Sequence, residues 1–403
     1  MYDILFFMLC VLFVKKGGVT EMNMEQTGKD ILYLIFCALH DVAPDTGRVA
    51  GMDFEKLFAY SKWHTLDAIT YMALSKLEEL PQSDVMKEWR ERRFKATRKN
   101  VVLDAERKNL FTYMDEKNIW YMPLKGVVLK DLYPKHDMRQ MADNDILFDA
   151  AYQKETRDYF VSHGYEVISY AKGNHDVYEK TPVYNFEMHT ALFGAGHNEV
   201  WAKYYENVKE RLVKNETGAG YHFTDEDFYV YFVAHAFKHF DGCGTGIRSF
   251  VDCYVYRSVK ELDDSYIEKE LAKLKLSEFE KTFYSASEKV FGKGLSVEVL
   301  TEEEYKMLSE SMYSGTYGTT KAMVSKKLRK LQGDKAPIAD KTKLLYYLRR
   351  LFPDMEFYKS YYPVVYKVKI LIPFFVIYRM LRGAVFSGKR LAREAVMVWK
   401  EDR

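Results

Sequence analysis

The sequence predicts an α+β protein in which a small mixed β-sheet is embedded in a mostly helical chain. Apolar residues recur three to four positions apart before residue 118 and again after residue 224, a spacing typical of amphipathic helices. Between these regions, short β-prone runs alternate with short helical segments. With 403 residues, of which 48 % are hydrophobic and 29 % charged, the chain can bury a large core and lacks the composition of a disordered protein.

The first region is predicted to be helical. The segments KDILYLIFCALH and DFEKLFAYSKWHTLDAITYMALSKLEEL have the helical spacing, and Asp53 is placed to cap the second. A long amphipathic helix is predicted to begin after Ser83 and to run to about residue 118. His64 falls inside one of these segments, where we expect it to pack or to face solvent rather than to take part in chemistry.

The sheet is predicted from five short runs, in chain order IWYMPL, DILF, YEVISY, HDVYEK and YNFEMHTALF. The helical segments VVLKDLY and AYQKETRDYFVSHG separate the first three runs, and Gly164 closes the second helix. Helices resume with DEDFYVYFVAHAFKHF and LAKLKLSEFEKTFYSASEKVFG. The chain therefore divides into a helical region at 22–117, a sheet-containing core at 118–193, a helical domain at 194–330 and a C-terminal helical module at 331–403.

Residues 1–21 are predicted to be a non-native extension. Their apolar run is too short for a membrane span, and Lys15 and Lys16 follow it on the wrong side for a secretory signal. The segment KKGGVTEM is what a ribosome-binding sequence would encode if it were translated, so we expect the native start at Met22 or Met24 rather than at Met1.

The C-terminal module is basic and rich in aromatic residues. From residue 341 onward, 14 Lys and Arg face 5 Asp and Glu, so a net charge of +9 follows a body of −7. Such a segment suits an anionic partner or is a solvated basic face. Pro373, Lys367 and Lys369 argue against a membrane span, which leaves peripheral membrane contact through 363–390 and packing against the body as alternatives. A nucleic-acid partner stays open, although no stacking motif supports it.

The four cysteines, Cys10, Cys37, Cys243 and Cys253, form no CxxC pair and have no zinc-ligand spacing. A reduced, cytoplasmic protein is therefore expected.

The motif DND places two acids at the start of the second predicted strand. Asp143 and Asp145 are two positions apart, so on a strand both point to one face, roughly 6.6 Å apart along it. Two carboxylates repel each other there unless a cation lies between them. The simpler alternative to a metal site is that the two acids only end the strand at the protein surface. Glu187 interrupts an otherwise apolar strand and is the predicted third carboxylate.

Three further residues point to phosphate. Lys125 and Gly126 lie where a strand passes into a helix, where glycine allows close backbone approach and helix amides favour anions. Arg139, four residues before Asp143, is suited to two-bond contact with a phosphate.

The run MPLKGVVLKDLYPKHDMRQMADNDILF resembles the signature of a bacterial group of uncharacterised nucleotidyltransferase-like proteins in the DNA polymerase beta-like nucleotidyltransferase superfamily. The residues that match are Leu124, Lys125, Gly126, Leu129, Tyr133, Arg139, Asp143, Asp145, Glu187 and His189. A later helix rich in histidine, followed by Arg and Asp, is matched by His235, His239, Arg248 and Asp252. The chain departs from the wider superfamily at two places. It has Lys-Gly where the superfamily usually has Gly-Ser. Between its two acids it has Asn144, a poor strand former, where the superfamily has a hydrophobic residue.

The resemblance implies a Mg²⁺-dependent enzyme that moves a nucleoside monophosphate from an NTP to a hydroxyl acceptor of unknown identity. Asp143, Asp145 and Glu187 would hold two Mg²⁺ ions, with Mn²⁺ as a possible substitute, while Lys125, Gly126 and Arg139 would steady the phosphates. The predicted acceptor pocket consists of His189, His235, His239, Arg248 and Asp252.

Other classes of protein were compared with this interpretation. His235 and His239 share a helix face and could chelate zinc, but no HExxH glutamate and no third ligand is evident. The GxGxxG motif of a Rossmann enzyme and the glycine-rich loop of a kinase are missing from the sequence. The main alternative is a catalytically silent nucleotide-binding or interaction protein that keeps the fold and binds an anionic partner through its basic tail.

Overall fold

The computed structural model describes residues 26–194, 198–292, 297–333 and 338–400, so the predicted extension at 1–21 lies outside the described residues. The described chain forms two compact units. The larger unit contains residues 26–237 and 246–316, and the smaller unit contains residues 238–245 and 317–400. Because helix α9, defined below, runs from residue 225 to residue 242, it contributes to both.

The larger unit begins with helices whose ends follow the sequence signals. These are α1 (Gln26–Leu39), α2 (Thr46–Ala50), α3 (Phe54–Trp63), α4 (Asp67–Leu74) and α5 (Asp84–Glu116). The predicted caps are confirmed: Asp53 accepts the Lys56 amide at 3.1 Å, and Ser83 accepts the Met86 amide at 3.3 Å. One predicted helical segment is divided into α3 and α4, because Thr65 has a φ of +51°, which a right-handed helix does not accommodate.

The sheet region follows the predicted order of strands and helices. Its elements are β1 (Tyr121–Pro123), α6 (Gly126–Leu129), β2 (Asn144–Phe148), α7 (Gln153–Ser162), β3 (Glu166–Ser169), β4 (His175–Lys180) and β5 (Tyr184–His189). Spatially the strands lie in the order β1-β2-β5-β4-β3; β2 and β5 are parallel and the other neighbours antiparallel. The predicted α+β class, with a small mixed sheet in a mostly helical chain, is confirmed.

One face of the sheet packs against α5 and α7. Its buried cluster includes Leu110, Met114, Ile146, Phe148, Phe160, Tyr178, Phe186 and Met188. Because side chains alternate along a strand, the residues between these positions on β2 and β5 point to the opposite face. That opposite face carries the candidate site.

The rest of the larger unit is mostly helical. It consists of α8 (Glu199–Tyr204), a short ribbon of β6 (Val213–Lys214) and β7 (Tyr221–His222), α9 (Asp225–Gly242), α10 (Arg248–Val259), α11 (Asp264–Leu274), α12 (Ser277–Phe291) and α13 (Glu302–Met312). The two-residue strands of the ribbon are too short to leave a pattern in the sequence, and they were not predicted.

The smaller unit contains the end of α9 and the C-terminal helices. These are α14 (Thr320–Gln332), α15 (Asp340–Leu351), α16 (Met355–Tyr361), α17 (Pro363–Lys367) and α18 (Ile372–Lys400). A small core of Val324, Leu328, Ile338, Tyr346 and Val398 joins α14, α15 and α18. Within the described ranges, every helix is too short or too polar to cross a membrane.

Candidate active site

Two parallel strands bring the predicted acids together. Asp145 on β2 is paired in register with Glu187 on β5, and neighbouring strands lie about 4.8 Å apart. Register partners point to the same face, so both carboxylates lie on the side of the sheet that faces away from α5. His189 lies two residues beyond Glu187 and therefore shares this face. Ligand atoms of Asp145, Glu187 and His189 lie within 4.8 Å of one another.

Lys125 reaches into the same cluster from the turn between β1 and α6. Its Nζ donates to Oδ1 of Asp145 at 2.6 Å and lies 3.9 Å from Oε2 of Glu187. The backbone of Lys125 has φ +49° and ψ −119°, a left-handed conformation that glycine adopts more easily. Strain of this kind persists where the surroundings fix the residue, and it is frequent at functional sites.

His189 is a neutral partner of Asp145. Burial lowers the pKa of His189 to about 4, and the nearby Lys125 charge acts in the same direction. The imidazole is therefore uncharged at neutral pH, and its Nε2–H donates to Oδ1 of Asp145 at 2.9 Å. Its Nδ1 is buried and has no hydrogen-bond partner among the described residues.

The carboxylates of the site differ in their affinity for protons. Burial and repulsion by Asp145 raise the pKa of Glu187 to about 8, and the same two effects raise the pKa of Asp143 to about 6. Burial also acts to raise the pKa of Asp145, but the charge of Lys125 and the hydrogen bonds from His189 and Lys125 hold it well below its usual range. Lys125 thus neutralises Asp145, whereas Glu187 and Asp143 keep a raised affinity for protons.

The structure places Asp143 directly before β2, which begins at Asn144. Asp143 is half-buried, and it is not one of the three residues whose ligand atoms converge. The side chain of Asn144 points the other way and is fully buried. It donates to the Leu103 carbonyl at 3.1 Å and accepts from Arg107 at 2.9 Å, so it attaches the start of β2 to helix α5. This contact explains why a poor strand former stands between the two acids.

Arg139 has a protein partner in the structure. Its Nε and Nη2 donate to Oδ1 and Oδ2 of Asp252 at 2.7 and 2.9 Å, and both side chains are buried. The hydroxyl of Tyr133 donates to the same carboxylate at 2.6 Å. A Cβ atom on Gly126 would overlap Nη1 of Arg139, so this glycine allows the guanidinium to lie against the α6 turn. The predicted phosphate contact of Arg139 stays a prediction.

The remaining predicted pocket residues lie on α9 and α10. His235 is half-buried on α9, and its ring lies 6.1 Å from that of Tyr231. Arg248 begins α10 and donates to Oγ1 of Thr65 at 2.9 Å, while its charge also acts on Asp143. His239 is exposed and belongs to the smaller unit. Its role in the pocket therefore stays a prediction.

Two residues of the site were missed by the sequence analysis. Tyr231 is buried, and its hydroxyl interacts electrostatically with Lys125 and Asp145. The sequence could have indicated Tyr231, because it lies one helical turn before the predicted pocket residue His235 and hence on the same helix face. Lys99 donates to the carbonyl of Ala142 at 2.7 Å, and its charge acts on Asp143. No local pattern distinguishes Lys99 from the other lysines of α5.

The donor set fits a divalent cation. Two carboxylates and an imidazole converge, and burial together with the charge of Asp145 raises the pKa of the neighbouring Asp143. Oxygen donors of this type suit Mg²⁺ and Mn²⁺.

Comparison with known proteins gives one match. A model of a family described as an uncharacterised nucleotidyltransferase matches residues 50–292, which is more than half of the chain and includes every residue of the site described above. No curated protein and no solved structure matches the chain.

Proposed function

This chain belongs to the uncharacterised nucleotidyltransferase family, and we propose that it uses Mg²⁺ to move a nucleoside monophosphate from an NTP to a hydroxyl acceptor. The observation that supports this proposal best is the convergence of Asp145, Glu187 and His189 on one face of adjacent parallel strands. The membership supports a transferase that acts on an NTP, whereas the cation and the acceptor class belong to the proposal.

The acids are assigned to the cation. Asp145 and Glu187 would hold it directly, with Asp143 contributing from the residue before β2. When bound, Mg²⁺ supplies positive charge that offsets the charge developing on the phosphates during transfer. His189 keeps Asp145 oriented through its Nε2–H, as partners behind metal ligands commonly do.

Lys125 is assigned to the triphosphate. Its Nζ lies within reach of both Asp145 and Glu187, so it can turn from neutralising a carboxylate to contacting a phosphate oxygen. Arg139, fixed by Asp252, is assigned a positioning role: it supports the Gly126 turn that carries Lys125.

Glu187 is assigned to the acceptor. Its side chain is more exposed than that of Asp145, 26 % against 6 %, so its oxygens are open to an acceptor as well as to the cation. The acceptor oxygen would bond to the α-phosphorus while the bond between the α-phosphorus and the oxygen bridging to the β-phosphate breaks. Pyrophosphate would leave, and the proton of the acceptor would go to Glu187 or to a water that it orients. No covalent enzyme intermediate is required.

The contact between Lys125 and Asp145 also suits a second candidate. An ammonium group that neutralises Asp145 at 2.6 Å could take the place of a metal ion in a protein that keeps the fold without catalysis. Cation dependence separates the two functions, because only the catalytic one needs a divalent ion for nucleotide binding.

Isothermal titration calorimetry tests the proposal. ATP, GTP, CTP and UTP are each titrated with and without Mg²⁺ into the full chain, into Asp145→Asn/Glu187→Gln and into a control, Glu155→Gln/Asp158→Asn, which removes two exposed acids from α7. We expect Mg²⁺-dependent binding of at least one nucleotide by the full chain and the control, and its loss in the site variant. Nucleotide binding that is equally tight with and without Mg²⁺, and equally tight in the wild type and the site variant, would favour the non-catalytic protein. The absence of nucleotide binding by a folded wild-type chain would favour it as well.

For the nucleotide that binds, label on the α-phosphate should pass to an acceptor in a cell extract. Label on the γ-phosphate should leave as pyrophosphate. Transfer of the γ-label instead would identify a kinase and contradict the proposal.

A further inference from the structure

Helix α18 carries an apolar face that points into solvent. Phe374, Ile377, Tyr378 and Leu381, here called the apolar stripe, follow the i, i+3, i+4, i+7 spacing of one helix face. Their exposed fractions are 70, 57, 50 and 62 %. Residues this apolar are normally buried on one side of an amphipathic helix, so a continuous exposed stripe of them marks an interaction surface.

The helix is held to its own unit by its other face. Val376 is only 5 % exposed, and the ring of Phe375 packs 4.3 Å from that of Tyr362. The stripe is thus not the side that stabilises the smaller unit. Val364 and Ile370, which precede the stripe in the chain, are also exposed apolar side chains.

The charge around the stripe has one sign. Residues 357–393 contain eight Lys and Arg and no Asp or Glu. Lys367 and Lys369 before the stripe, and Arg382 after it, are all exposed. Along the chain, the apolar stripe is therefore preceded and followed by positive charges.

This combination selects the occupant. A second copy of the same face would oppose positive charge to positive charge, with no acid in the segment to pair with it. A nucleic acid would satisfy the charges but would leave Ile377 and Leu381 exposed to water. An anionic lipid bilayer satisfies both, because acyl chains take the apolar face and phosphate head groups take the lysines and arginines.

We propose that the surface formed by the apolar stripe and its flanking basic residues docks the protein on an anionic phospholipid bilayer, with α18 lying in the plane of the interface. This surface lies outside the residues that match the family, so the proposal is independent of the transferase chemistry.

The test is sedimentation of the full chain with vesicles of phosphatidylcholine alone or with about one quarter phosphatidylserine. The stripe variant is Ile377→Ser/Leu381→Ser, and its control is Val101→Ser/Val161→Ser, two exposed valines on α5 and α7. The charge variant is Lys367→Gln/Lys369→Gln, and its control is Lys172→Gln/Lys281→Gln. All eight side chains are exposed, so each variant should keep the far-ultraviolet circular dichroism of the wild type; if the stripe variant does not fold, the charge variant decides.

We expect the full chain and both controls to bind the anionic vesicles at least about tenfold more tightly than the neutral ones. The charge variant should bind them about 25-fold more weakly, because each of the two basic residues near the surface contributes roughly a factor of five. The stripe variant should lose at least about a factor of ten.

The proposal is overturned by any of four results. The first is that the full chain binds neither kind of vesicle. The second is that it binds neutral and anionic vesicles equally tightly. The third is binding that survives in the stripe and charge variants, which would point to another part of the chain. The fourth is self-association or RNA binding that competes with the vesicles and that the charge variant abolishes, which would assign the surface to a second copy or to a nucleic acid.

Discussion

Arg139 and Asp252 form a two-bond ion pair that joins the turn before β2 to helix α10. Their residues are 113 positions apart in the chain, and the paired atoms lie 2.7 and 2.9 Å apart. Through Gly126, the same guanidinium lies against the turn that carries Lys125. The ion pair therefore connects the stability of the larger unit with the placement of the residue assigned to the triphosphate.

Asp252→Asn should lower the free energy of unfolding by about 3 kcal/mol or more, because it leaves the Arg139 charge buried without a counter-charge. Urea denaturation measures the loss. The matched control is Asp264→Asn, which breaks the 2.6 Å pair with Arg257 at a side chain that is 75 % exposed. That substitution should cost less than about 1 kcal/mol. Equal effects of the two substitutions would show that the buried pair has no special importance.

Gly126→Ala should destabilise the protein by about 1–3 kcal/mol, because the added methyl group displaces the guanidinium of Arg139. Gly242→Ala is the control, since a Cβ there meets no atom within 4 Å and should be neutral or slightly stabilising. Thermal unfolding of both variants decides the matter. A Gly126 variant as stable as the wild type would mean that the α6 turn adjusts without disturbing Arg139.

Asn144→Val should destabilise the protein by about 1–3 kcal/mol, although valine forms strands more readily than asparagine. The loss arises because Arg107 and the Leu103 carbonyl lose their partner on β2. Ser169→Val, on strand β3 at the edge of the sheet, is the comparison, and it should show the ordinary preference of a strand for valine. If Asn144→Val were stabilising, strand propensity rather than the contact with α5 would govern this position.

His64 should make the protein less stable in mild acid. Burial lowers the pKa of His64 from 6.5 to about 4, and its Nε2 lies 3.1 Å from the carbonyl of Met312. Between pH 6.5 and pH 4 the unfolded chain therefore binds a proton that the folded chain excludes. The contribution to stability is complete above pH 6.5 and falls by about 3 kcal/mol as the pH drops to 4.

The measurement is the free energy of unfolding between pH 4 and pH 8 for the wild type and for His64→Gln. Other groups titrate in both proteins, so their difference isolates His64. A difference that does not change with pH would contradict the assignment of His64 as a buried, neutral side chain.

Local signals were sufficient for most of the secondary structure. The caps at Asp53 and Ser83 and the short β-prone runs that become β2 and β5 lie within a few residues of the features they predict. The sequence indicated Asp145 and Glu187 separately, each from its residue type on a predicted strand, and the parallel register of β2 and β5 brings the two together.

Contacts between distant residues could not be predicted in this way. An arginine that can make two hydrogen bonds to a phosphate can equally make two to a carboxylate. The residues that neighbour Arg139 in the sequence do not indicate that its partner is Asp252. Lys99 is likewise one of several lysines on a long helix, and only the folded chain brings it to Asp143. The interpretation of Arg139 as a phosphate ligand rested on its residue type, its place four residues before Asp143 and the family resemblance, and it stays a prediction.

The central claim is that Asp145 and Glu187, with Asp143, hold a divalent cation. The most direct test is Mn²⁺ binding followed by electron paramagnetic resonance, with and without the nucleotide that calorimetry identifies. We predict that the full chain and Glu155→Gln/Asp158→Asn bind Mn²⁺, that Mg²⁺ displaces it, and that Asp145→Asn/Glu187→Gln loses at least about 90 % of the bound signal. Equal Mn²⁺ binding by the site variant and the wild type, or none by a folded wild type in either condition, would contradict the claim.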